Sequence, residues 1–428
     1  MTAQTRHLMR RLGVAALALS VAFGVSVAPA RGATHPAPAR FPALDGGAAV
    51  VPHIKVTALT QAPGGALYAA GVYVVPNTDP ASVNKVTTLG STWLISRDHG
   101  ATWDQRVSTT NPKAFPSMGV APWTNHRMLP IDFTPMGITV DPRSPRVIYI
   151  AGCVDIRATC SEPTLGAGDH LLVRSTDGGQ TWQDALTTST PIARAGELPP
   201  GTALPTAAYA LLVDPHDSQR LYLAVNDMGV LRSENAGRTW IVVPQAQANK
   251  IGRPCELLAD PRDARTVYEL AREGALYRTT DAGAHWQVHA GLNGQLGTTS
   301  ATSLTWVGRT LYVTTDRGIA ASQDSGATWR IVYGRPVAGR FDQSVRSAAG
   351  WVSVFGPLNA GPIAGLYAVH DGGQWQPVAD TQHRGTHGAI DFGDTGAYLV
   401  TQLWEDHTTH IVFTAGPTGG LYRWQATL

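Results

Sequence analysis

Four carboxylates, three guanidinium groups and two tryptophans are the parts of this 428-residue chain best suited to chemistry on a sugar or a peptide. Asp132 or Asp155, set against Asp227 or Glu256 across one pocket, would supply the acid and base of glycosidic hydrolysis. That reaction needs two carboxyl groups about 5–10 Å apart. Arg157, Arg253 and Arg272 could each grip a substrate carboxylate through paired N–H donors. Trp123 and Trp404 stand outside the repeated positions described below, and either ring could stack on a sugar. His383, His387, His407 and His410, with Glu405 and Asp406 beside the last two, could be read as metal ligands. Two histidines three apart on an irregular loop fit a hydrated surface loop better, so no metal and no cofactor is expected. The chain shows no phosphate-binding loop and no serine-nucleophile elbow.

Whatever positions those groups is built from a repeat. Ser175-Thr176-Asp177-Gly178-Gly179-Gln180-Thr181-Trp182 has the pattern Ser-x-Asp-x-Gly-x-Thr-Trp, which returns at Ser96–Trp103, Ser233–Trp240, Thr279–Trp286 and Ser322–Trp329. A shortened copy ends in Asp371 and Trp375. The acids Asp98, Asp177, Asp281 and Asp324 can fold back onto the N–H groups of a tight turn, and Asn235 makes the same local bond in its copy. The glycine two residues later supplies a positive φ without steric cost. Trp103, Trp182, Trp240, Trp286 and Trp329 should then open the next strand and point inward. Burying roughly 200 Å² of indole at about 25 cal/mol per Å² contributes on the order of 5 kcal/mol.

This unit resembles the Asp-box, or BNR repeat, of the sialidase-type β-propellers, and is also similar to repeats of xyloglucan-type hydrolases, sortilin-type receptors and the photosystem II assembly factor. The resemblance covers nearly all of the chain after its leader. It implies a blade whose third and fourth strands are joined by the box on the outer rim, away from the central pocket. It also implies WD40- or YVTN-like architecture. For a sialidase-like activity it would require three arginines, a tyrosine nucleophile with a glutamate base, and an aspartate acid. The family's first arginine lies in a Phe/Tyr-Arg-Ile-Pro motif, whereas this chain has Arg40-Phe41-Pro42.

A second signature, Asp141-Pro142 to Tyr149, Asp214-Pro215 to Tyr222 and Asp260-Pro261 to Tyr268, precedes the box in three units. Together the two predict blades of strand, Asp-Pro turn, strand, loop, strand, box, strand. The box tryptophans from Trp240 to Trp375 lie 46, 43 and 46 residues apart, the length of one four-stranded blade. The expected fold is therefore all-β: one seven-bladed propeller, or six blades if the first or last segment pairs across the closure. Blades are expected near 55–108, 133–187, 207–244, 251–291, 300–334, 344–380 and 385–428. The candidate carboxylates and arginines then fall on loops between second and third strands or between blades.

The N-terminus reads as an export signal over residues 1–30, with Arg6, Arg10 and Arg11 before the apolar run Leu12–Val27. Residues 31–53 are expected to be a loose Pro/Ala-rich lead-in, and 54–428 the propeller. Removing the leader's three arginines turns a formal charge of +2 into near neutrality. That balance argues against nucleic-acid and anionic-membrane partners. Cys153 and Cys160 flank a short loop and are expected to form a local disulfide. The function expected is that of a secreted, monomeric recognition module for a glycan or a cell-surface protein, with no membrane span after cleavage. The alternatives are a glycoside hydrolase or lyase working from the central pocket, and an extracytoplasmic assembly factor.

Overall fold

The computed structural model describes residues 43–51, 54–76, 86–109, 129, 133–154, 170–188, 190, 192–194, 207–225, 228–243, 254–271, 273–299, 301–333, 343–345, 351–355, 365–370, 376–380, 402–406, 408–409, 411–415 and 421–427. All of them lie in one compact unit, Phe41–Leu428. Apart from one short helix, Leu292–Leu296, the regular elements are strands.

Those strands form seven sheets, each with four antiparallel strands. The first sheet holds Ile54–Gln61, Leu67–Pro76, Val86–Ser96 and Asp104–Thr109. The second holds Phe133–Val140, Ile148–Val154, His170–Ser175 and Gln183–Thr187. In the third are Ala208–Val213, Leu221–Val225, Gly229–Ser233 and Trp240–Val242. The fourth contains Pro254–Asp260, Asp263–Ala271, Ala275–Thr279 and Gln287–Gly291. Ala301–Val307, Thr310–Thr315, Gly318–Ser322 and Arg330–Tyr333 make the fifth. Gln343–Val345, Trp351–Phe355, Gly365–His370 and Gln376–Asp380 make the sixth. Gln402–Glu405, Val412–Ala415 and Leu421–Thr427 begin the seventh. The first strand of each sheet packs on the first strand of the next, and that of the seventh packs on that of the first, so the circuit closes.

Closure corrects one expectation. The segment expected to be loose supplies the outer strand of the seventh sheet: Ala43–Val51 runs antiparallel to Leu421–Thr427, from Ala43 beside Thr427 to Val51 beside Leu421. Among the described residues the C-terminal segment supplies three strands to this sheet, which by themselves would leave a bare row of N–H and C=O groups along Leu421–Thr427. The N-terminal segment pairs that row, and composition gives no cue to it. The third sheet holds a further surprise. Ile192–Arg194 adds a fifth strand, parallel to Trp240–Val242.

The apolar core sits between sheets. Trp182 joins a cluster shared by the first and second sheets, and Trp240 one shared by the second and third. Trp286 and Trp329 do the same at the next two junctions. These four rings are 0%, 0%, 2% and 8% exposed, so each wedges its own sheet against the preceding one. Trp103, at the junction of the seventh and first sheets, is half-buried and packs against that cluster.

Candidate functional site

Strand reversal gives the sheets two unlike ends. Connections from first to second strand and from third to fourth lie at one end, which holds the Asp-Pro turns and the boxes. Connections from second to third strand and from sheet to sheet lie at the other.

At the first end the carboxylates are consumed by the backbone. In the box of the second sheet, Ser175 Oγ accepts from Asp177 N and Gly179 N at 3.3 and 2.8 Å and donates to Asp177 Oδ1 at 2.8 Å. Asp177 Oδ1 also accepts from Gln180 N and Thr181 N, both at 2.9 Å, while Oδ2 takes the Thr181 hydroxyl at 2.6 Å. Asp98 and Asp324 repeat the bonds to serine and threonine. The Thr102 and Thr328 hydroxyls and N–H groups hold these two carboxyls down at about 2. In the fourth sheet His285 stands in for the threonine, its Nδ1 2.7 Å from Asp281 Oδ2. Asn235 keeps the turn with its amide, donating to Thr239 Oγ1 and accepting from Thr239 N, each at 2.8 Å.

The box glycine has a second role that the sequence did not announce: it seats a ring from the preceding sheet. A methyl group at Gly179 would lie 2.6 Å from the indole of Trp93. Similar closeness holds between Gly283 and Tyr222, and between Gly100 and Phe413 at the closure. The tyrosines of the Asp-Pro signature reach the same place. Tyr149 OH donates to Ala236 O at 3.2 Å and Tyr268 OH to Ser325 O at 3.0 Å. Those carbonyls belong to residues at φ 57° and 59°, which aims them out of the turn toward the neighbour. The two signatures are thus the two halves of one inter-sheet joint.

The acids of the Asp-Pro turns are buried and bonded. Asp141 accepts from Arg143 N at 2.9 Å and from the Ser218 hydroxyl of the third sheet at 2.7 Å. Asp214 pairs with Arg220 at 3.0 Å, and Asp260 takes Arg262 Nε and Nη2, both at 3.0 Å. The guanidinium of Arg262 stacks 4.1 Å over Trp306 of the fifth sheet. Asp406 is the same element in the seventh sheet, fully buried rather than part of a hydrated loop. It accepts from Gln61 Nε2 at 3.1 Å, His99 Nδ1 at 2.7 Å, Thr408 N at 2.7 Å and Thr409 N at 3.2 Å. Burial pushes its carboxyl up, and the donors from Thr408, His99 and Gln61 outweigh that and hold it below the usual range. Sequence reasoning missed it because its turn has no proline and is one residue shorter. Asp406 N reaches Ile411 O, where Asp141 N reaches Val147 O and Asp214 N reaches Arg220 O.

Of the other expected site residues, Asp132, Asp155, Asp227, Trp123, Arg157, Arg253, Arg272, Asp371 and Trp375 lie outside the described residues. So do Cys160, His383, His387, His407, His410 and the leader. Glu256 is described: it pairs with Leu270 on the first strand of the fourth sheet and is 8% exposed. Trp404, expected to stack on a ligand, is instead 7% exposed and lies against Phe413 at 6.1 Å. Cys153 is disulfide-bonded. Among the described residues no three His, Cys, Asp or Glu side chains gather as a metal site. No described helix is long and apolar enough to cross a membrane. A cavity of about 360 Å³ opens at the turn end, walled by Gln61, Ala62, Pro63, Gly65, Val140, Pro142 and Thr408 of the first, second and seventh sheets.

The BNR/Asp-box repeat family matches residues 173–184, the box of the second sheet with its flanking strands. No curated protein sequence matches the chain. Among solved structures it is similar to YCF48 bound to D1 peptide, at TM-score 0.55 and 15% identity over 90% of this chain and 97% of that one. It is similar to the GH74 enzyme of Niastella koreensis at 0.52 and 16%, over 90% of this chain and 56% of that one, so it spans about half the enzyme's length. The WD40 repeats of RRP9 align at 0.55 and 9%, over 90% and 99%.

Proposed function

We propose that this chain, a β-propeller with BNR/Asp-box repeats, is an exported, non-catalytic recognition module that takes a peptide or glycan on the end opposite its boxes. The observation that carries the reading is the unlike chemistry of the two ends. At the box end Asp98, Asp177, Asp281 and Asp324 spend their oxygens on their own turns, and Asp141, Asp214, Asp260 and Asp406 spend theirs on turns or neighbouring sheets. Carboxylates tied in this way to their own turns or to a neighbouring sheet hold the joints together, and few of their acceptor sites are left for a substrate. The described strands that flank residues 110–132, 155–169, 244–253 and 381–401 have their adjoining termini at the other end, and Asp132, Asp155, Arg157 and Arg253 fall in those stretches of sequence. Loops on a rigid scaffold are where ligand contacts concentrate. A propeller of similar fold is held with a peptide, in YCF48 bound to D1 peptide, which favours a peptide ligand.

The test is binding and turnover measured on one panel. The full chain is exposed to immobilised sialosides, plant glucans, cell-wall glycans and peptide libraries, and soluble product is followed in parallel. Retention of a ligand without product, weakened by Arg157→Ala, Arg253→Ala or Arg272→Ala, is the expected result. Product release that disappears in Asp132→Asn or Glu256→Gln would make the chain a hydrolase.

A further inference from the structure

The outer strands of five sheets share a register position whose occupant differs. It is the residue that pairs with the third strand two places before the box serine or threonine. The pairs are Leu94 with Gln105, Val173 with Asp184, Leu231 with Val242, Tyr277 with Val288, and Ala320 with Ile331. The first two sheets put a polar residue there, Gln105 and Asp184. The third, fourth and fifth put a β-branched apolar residue there.

In the third sheet that residue is covered. Val242 is 4% exposed, Arg194 lies beside it on the added parallel strand, and Ile192 packs against the same cluster. In the fourth and fifth sheets the equivalent residues are open. Val288 is 53% and Ile331 43% exposed, and they are the exposed large hydrophobics among the described residues. Gln287–Gly291 and Arg330–Tyr333 are also the last strands of their sheets. Their outer rows of N–H and C=O groups therefore form a ready template for a further strand. Three sheets prepare the same apolar position, and among the described residues a further strand pairs beside only one of them.

We propose that the outer edges of the fourth and fifth sheets each accept an extended strand from a partner protein, laid parallel as Ile192–Arg194 is on the third. Main-chain bonds would hold it, and an apolar side chain over Val288 or Ile331 would give it register. The partner strand is acidic beside that apolar residue. The two edge strands, Gln-Val-His-Ala-Gly and Arg-Ile-Val-Tyr, carry no carboxylate and one exposed cation, Arg330, while His289 is turned onto Ser325 O of the fifth sheet at 3.0 Å. This rim surface is separate from the loop-bearing end, so the inference stands or falls independently of the ligand taken there.

The probe is a synthetic peptide of residues 188–196, the chain's own covering segment, unaltered and with Arg194→Glu. It is added to the full chain, and amide hydrogen exchange is followed by mass spectrometry. Slower exchange over Gln287–Gly291 and Arg330–Tyr333 is expected, with the Arg194→Glu peptide the tighter of the two. The double variant Val288→Asp, Ile331→Asp changes only exposed side chains and should weaken binding about tenfold or more. Three results would overturn the proposal. One is no protection at either edge at millimolar peptide, and another is protection unchanged in the double variant. The third is a dimer without peptide that the double variant dissolves, which would make a second copy the occupant.

Discussion

Two adjacent glycines in one box separate the conformational demand of the turn from the packing demand of the joint. Gly178 and Gly179 have nearly the same φ, 78° and 83°, so alanine at either pays the same kind of left-handed strain, about 1–2 kcal/mol. At Gly178 that is the whole cost, because an added methyl meets nothing within 4 Å. Other copies already tolerate Ala236 and Ala282 at this place, at φ 57° and 59°. At Gly179 the methyl would sit 2.6 and 2.8 Å from atoms of the Trp93 ring, so the ring must move by roughly 1 Å to reach ordinary contact. Trp93 is 2% exposed and lies edge-on to Trp182, with centroids 5.6 Å apart, so the movement disturbs a second buried ring. Overpacking of this kind adds about 1–3 kcal/mol. Gly178→Ala should therefore destabilise by about 1–2 kcal/mol and Gly179→Ala by about 2–5 kcal/mol. Urea unfolding in a common buffer measures both. Placing Gly179→Ala on a Trp93→Ala background should bring its own increment down to that of Gly178→Ala, since the two partners are coupled only through contact. Equal midpoints for the two single variants, or an increment unchanged by loss of the ring, would refute the seating of one sheet's ring on the next sheet's box.

Acid should loosen the carboxylate boxes before the asparagine one. Asp98 and Asp324 titrate at about 2 in the folded chain, below the unfolded value of about 3.9, so their support is complete above about pH 4 and is lost as the pH falls through 2. Protection from hydrogen exchange, taken relative to the free-peptide rate at each pH, should fall across that window at Thr102 and Thr328, whose N–H groups donate to the two carboxylates, and change little at Thr239, which donates to Asn235; parallel behaviour at all three would contradict the assignment. At the closure, Asp406→Ala strips the acceptor from Gln61, His99 and two N–H groups at a buried site. It should cost about 2–4 kcal/mol. His99→Ala removes one donor whose side chain is 38% exposed and should cost about 1 kcal/mol or less. Urea midpoints in which the histidine variant is the weaker would reverse that ranking.

The eight-residue unit by itself determined the turns. Ser175, Asp177, Gly179 and Thr181 bond to one another within a single hairpin, so their types and order are a complete local instruction. The recurrence of that instruction set the length of each blade and the all-β class. Only the folded chain decided what lies across sequence. The outer strand of the seventh sheet comes from Ala43–Val51, hundreds of residues from its partner, and backbone pairing of that kind leaves no mark on residue type. Asp406 and Trp404 looked free on the chain and are buried because the seventh sheet must meet the first. Val242 and Val288 are the same residue in the same register, and a strand from elsewhere leaves one at 4% and the other at 53% exposure. Hydrogen bonds inside a turn are written in adjacent letters, while burial is a property of whatever surface arrives opposite.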